Sequence, residues 1–123
     1  MKKTIFGILL FSLSTLNVSA DGQTTAGVGA KSCATWINLR AKTEPSYLDT
    51  TLEAMMLSWV QGYLSGASFQ RTGALDGEVK HELLTLPNVD TINNYLDNYC
   101  RDNQLAKFKY AAIKLFVDVR SQN

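Results

Sequence analysis

The sequence predicts an all-α fold: a small single-domain bundle of four to five helices stapled by one disulfide. Two observations carry the helices. Apolar residues recur at three- and four-residue steps along most of the chain, and no stretch shows the period-2 alternation of a strand. A third observation carries the staple. Cys33 and Cys100 are the only cysteines, and the chain opens like an exported protein, where an even pair reads as a disulfide rather than as two free thiols.

Residues 1–20 read as a signal peptide. Lys2 and Lys3 form a positive start, Ile5 to Leu16 is apolar, and Val18-Ser19-Ala20 is a small-residue cleavage site before Asp21. The apolar run falls short of the roughly 20 residues that span a bilayer. No later segment is long and apolar enough to span, so the expectation is a soluble, exported protein with no membrane span in its mature form. Removing Lys2 and Lys3 leaves ten Lys and Arg against eleven Asp and Glu. Such a near-neutral balance is not the footprint of a nucleic-acid binder.

Residues 21–30, DGQTTAGVGA, read as a flexible N-terminal arm, and residues 31–123 as the helical domain. Ser32 is the expected N-cap of a first helix carrying Cys33, Trp36, Ile37 and Arg40 and ending near Lys42. Pro45 disfavours helix at Glu44 and separates this helix from the next. The second helix is the long one, from about Leu48 to Phe69. Leu48, Leu52, Met55, Met56, Trp59, Tyr63 and Leu64 follow its period. Gly73 and Gly77 punctuate a loop-rich stretch with a short helical turn near Glu78 to Leu84. Asp90 is the expected cap of a third helix bearing Ile92, Tyr95, Leu96, Tyr99 and Cys100. Asp102 or Asn103 is the expected cap of a fourth, with a wide apolar stripe from Leu105 to Val119.

The staple matters for so small a domain. It closes a loop of nearly 70 residues, which the chain-entropy account values at roughly 4 kcal/mol. Total stabilities of such domains are about 5–15 kcal/mol.

No catalytic constellation assembles. His81-Glu82 begins a zinc-protease motif, but Thr85 stands where the second histidine belongs. Glu44, Asp49 and Glu53 are close in sequence, with nothing to separate them from a solvated helix start. The glycines of GYLSG lie inside an apolar helix, not in a phosphate-cradling turn. The expectation is therefore no enzyme, no metal and no cofactor.

One segment stands out. In WVQGYLSGASF, Ser58, Gly62 and Gly66 recur every four residues and form a small-residue ridge, flanked by Trp59 and Tyr63. Each glycine costs a helix about 1 kcal/mol relative to alanine, so the ridge asks for a reason. Small residues let two backbones approach closely. Three readings stay open. Another helix of the domain packs there, with the fourth and its Ala111 and Ala112 as the candidate. Alternatively the ridge is a homodimer seam, or it lines a ligand pocket. Trp59 and Tyr63 are residue types that serve cores and binding hot spots alike.

Cys33-Ala34-Thr35-Trp36, the WVQGYLSG segment, Asp90-Thr91-Ile92 and Asn98-Tyr99-Cys100-Arg101 together resemble a group of small exported proteobacterial proteins related to the HdeA-type acid-stress chaperones. That resemblance implies a periplasmic all-helical protein, dimeric at neutral pH, that exposes apolar surface to client proteins in acid. The cysteines here lie farther apart than in those chaperones. The GYxxG element is also similar to the Tai-class immunity proteins, which block amidases exported by type VI secretion. That similarity implies a rigid plug for an enzyme, with the loop-rich stretch Arg71 to Asp90 as the candidate contact. An exported helical binder of neither kind is the third reading. All three share protein binding as the function, with client or partner proteins as the ligands.

Overall fold

The computed structural model describes residues 26–71 and 84–122. The expected signal peptide, the start of the arm, His81 and most of the loop-rich stretch lie outside them. The described residues form an all-α bundle of four helices with no strand: α1 (Cys33–Arg40), α2 (Tyr47–Arg71), α3 (Val89–Asp102) and α4 (Phe108–Ser121). None of these helices is long and apolar enough to cross a membrane.

Each helix begins where local chemistry or a neighbouring chain segment satisfies its first N–H groups. Ser32 caps α1, its hydroxyl accepting from the Thr35 N–H. Two further α1 donors are met from across the fold: the Cys33 N–H donates to the Ala106 carbonyl at 2.8 Å and the Ala34 N–H to Gln104 at 2.9 Å. This use of residues 104–106 explains why α4 starts at Phe108 rather than after Asp102 or Asn103. The turn between α3 and α4 is occupied in completing α1. Asn88, not Asp90, caps α3, its side chain accepting from the Thr91 N–H at 2.9 Å.

The core is one cluster. Trp36 from α1, Met56, Val60 and Leu64 from α2, Ile92 and Leu96 from α3, and Phe108, Ala111, Ala112 and Leu115 from α4 are buried. The Trp36 and Phe108 rings meet with centroids 5.4 Å apart. Cys33 and Cys100 are bonded and fully buried, tying the first turn of α1 to the end of α3. The two partners stand 67 residues apart.

The arm's last residues do not hang free. Gly27–Ala30 form a 3-10 helix packed on α2 and α4, with Val28 and Gly29 buried. Gly27 has φ +69°, a conformation that suits glycine because it has no Cβ. Gly29 lies so close to the Trp59 ring that a Cβ built there would stand 2.3 Å from Trp59 Cζ2.

Candidate protein-contact face

The long helix α2 divides into three sides. Its inner side is Met56, Val60, Leu64 and Ser68, at steps of four, all buried. Ser68 is satisfied there, its hydroxyl accepting from the Leu84 N–H at 3.1 Å.

The side toward α1 carries the helix's carboxylates, both held by cations. Asp49 pairs with Lys42 at 2.6 Å and accepts from the Ser46 N–H and hydroxyl. Lys42, and then Ser46, pull its carboxyl down to about 2. Glu53 pairs with Arg40 at 3.0 Å. Arg40 also grips Asp97 of α3 through Nε and Nη2 at 3.1 and 3.0 Å. Asp97 accepts the indole N–H of buried Trp36 at 2.8 Å as well. The Arg40 guanidinium lies 5.6 Å from the Trp36 ring centroid, within cation–π range. These hydrogen bonds to Asp97 and Glu53 hold Arg40 firmly protonated. One arginine thus joins α1, α2 and α3.

The outer side is different in kind. Ser58, Gly62 and Gly66 are exposed, and apart from the local backbone of α2 itself, among the described residues nothing lies within 4 Å of a Cβ placed on either glycine. Large apolar residues share this side: Leu48 is 75% exposed, Met55 53% and Phe69 47%. No charged side chain falls among Leu48, Thr51, Met55, Ser58, Gly62, Gly66 and Phe69.

The structure therefore separates the residues the sequence grouped. Trp59 and Tyr63 are partly buried and packed against the core. Their rings stack with centroids 5.8 Å apart, and Tyr63 meets Phe116 of α4 edge-on at 6.4 Å. Ser58, Gly62 and Gly66 face away. The expectation that α4 fills the ridge with Ala111 and Ala112 is corrected. Both alanines are fully buried, but in the core that Met56, Val60 and Leu64 line. Bulky side chains fill the space between α2 and the bundle, and the small residues are left outside. Sequence reading grouped Leu48 and Met55 with the apolar stripe and missed their exposure. The available signal was the charge pattern. Asp49 and Glu53 are the only ionisable acids of α2, and both lie off this face.

A shallow depression of about 450 Å³ is lined by Arg101 to Ala106 in the α3–α4 turn. Its side chains are exposed and mixed in charge, without a convergent acid–base pair. Among the described residues no group of three His, Cys, Asp or Glu side chains could hold a metal ion. Comparison with protein-family models, with curated proteins and with solved structures finds no match.

Proposed function

We propose that this chain is an exported, periplasmic protein-binding protein of HdeA-like character. It acts without catalysis and presents the outer face of α2 to other proteins, most openly in acid. The observation that supports this reading is that face: uncharged and largely exposed, with Leu48, Met55 and Phe69 as its large apolar side chains, on a helix whose carboxylates are both turned aside and paired. Large apolar side chains left exposed along one uncharged helix face suit a contact with another protein.

Acid acts on the rest of the bundle. Protonating the carboxylates takes the mature chain toward the charge of its ten Lys and Arg plus His81. Self-repulsion then opposes the compact state. The links from Arg40 to Asp97 and Glu53 and from Lys114 to Asp118 lose their ionic partners. The buried disulfide keeps α1 and α3 joined while the packing loosens. More apolar surface becomes available without release of the whole chain.

The test is light scattering from an acid-labile enzyme mixed with the oxidised mature protein at about pH 2.5 and pH 7. Suppression of aggregation in acid, reduced several-fold by Met55→Lys, whose side chain is charged at both pH values, is expected. No suppression at either pH, or suppression unchanged in the variant, would contradict the reading.

A further inference from the structure

The outward side of α4 carries large apolar side chains, as its inward side does. Phe108, Ala111, Ala112 and Leu115 are buried in the core. Tyr110, Ile113 and Val117 are 48%, 38% and 42% exposed. Their steps of three and four residues keep them together on one side of the helix. A helix that is apolar all round is normally covered all round. Here the bundle covers only the inward side.

The flanks of the outward strip indicate what kind of surface suits it. Helical spacing places Lys109 and Arg120 along one flank and Lys114 along the other. Lys109 Nζ lies 5.2 Å from the Tyr110 ring centroid, which keeps its charge beside the strip. The one acid of α4, Asp118, is turned toward α3. It pairs with Lys114 and accepts the Tyr95 hydroxyl at 2.7 Å. Lys114 is therefore partly compensated, and the flank with Lys109 and Arg120 is the more positive.

Apolar positions at i, i+3 and i+7 are the anchors by which one helix receives another. In such pairs the flanking charges select the partner. A second copy of α4 is disfavoured, because either orientation sets cations against cations. A lipid surface also fits poorly. A helix that lies on a bilayer sinks its main apolar face into it, and the larger apolar side of α4 is already packed in the core. An amphipathic helix with Asp or Glu on its flanks meets both features. Its apolar side covers the strip, and its carboxylates face the cations.

We propose that the outward side of α4 docks an acidic amphipathic helix of an unlike protein, with Tyr110, Ile113 and Val117 as the apolar seat and Lys109, Lys114 and Arg120 as the selecting rim. This contact belongs to a different helix from the α2 face and does not rest on the chaperone reading.

The test is fluorescence anisotropy with the oxidised full mature chain at neutral pH and two labelled three-heptad peptides. Both carry Leu along the seam; one carries Glu at the flanking positions and the other Lys. The Glu peptide is expected to bind about tenfold more tightly than the Lys peptide, and to weaken as salt is raised. Ile113→Gln is expected to weaken it about fivefold with unchanged helical dichroism. Lys109→Glu combined with Arg120→Glu is expected to reverse the preference between the peptides, a result that a merely unfolded variant does not give. Met55→Lys is expected to leave binding unchanged. Equal binding of the two peptides, no binding of either up to about 1 mM, or loss of binding in Met55→Lys would overturn the proposal. Binding to phosphatidylglycerol vesicles but not to the Glu peptide would overturn it in favour of a lipid surface.

Discussion

At Gly29 and Gly62 the same substitution has opposite consequences. A methyl group at Gly29 lands inside the Trp59 ring, and overpacked sites lose about 1–3 kcal/mol. A methyl group at Gly62 meets nothing within 4 Å among the described residues apart from the local backbone of its own helix. There alanine removes a helix penalty of about 1 kcal/mol. Urea unfolding at low chain concentration should therefore show Gly29→Ala with a lowered midpoint and Gly62→Ala with a raised one. Equal shifts in one direction would contradict the placement of both glycines. The sequence marked Gly62 and Gly66 as unusual but could not say which way they point. Periodicity assigns residues to a side of a helix, and small residues suit a tight buried contact as well as an open strip. Gly29 was unreadable for another reason: its partner Trp59 is remote in sequence, and nothing local in GVGA announces a contact.

The elements were more legible than their ends. The first helix begins at Ser32 as its cap predicts, and α2 runs one or two residues beyond the expected bounds at each end. The start of α4 was misread because the competing demand comes from α1, whose first N–H groups take the carbonyls of Gln104 and Ala106. No local pattern reports a long-range backbone bond. The start of α2 yields a pH prediction. Lys42 and Ser46 stabilise ionised Asp49, so its folded pKa lies below the ordinary carboxylate value, at about 2. Its contribution is thus present above the unfolded pKa of about 3.9 and lost as pH falls through about 2. Carboxyl NMR should place the Asp49 midpoint near 2 and move it upward in Lys42→Met. A midpoint near 3.9 in the unaltered protein would contradict the Lys42 and Ser46 contacts.

For the whole molecule, the fold class and the staple were both readable, because helical spacing runs through most of the chain and only one pairing of two cysteines exists. The disulfide closes a 67-residue separation with both sulfurs buried. Replacing both cysteines by alanine should lower stability by roughly 4 kcal/mol in urea unfolding. A change below about 1 kcal/mol would show that the unfolded chain is already compact without the bond. The function was less legible, since small residues at helical spacing suit a buried contact or an open strip alike, and only the folded chain shows that α4 does not cover them. The central claim is that the outer face of α2 serves other proteins most openly in acid, as HdeA-like character implies. Sedimentation of the oxidised mature chain at about pH 7 and pH 2.5, with near-ultraviolet dichroism of the same samples, tests it most directly. The account predicts a dimer at pH 7, and at pH 2.5 a monomer with weakened signal from the packed Trp36, Trp59 and Tyr63 rings. A mass and an aromatic signal that stay the same at both pH values would contradict it.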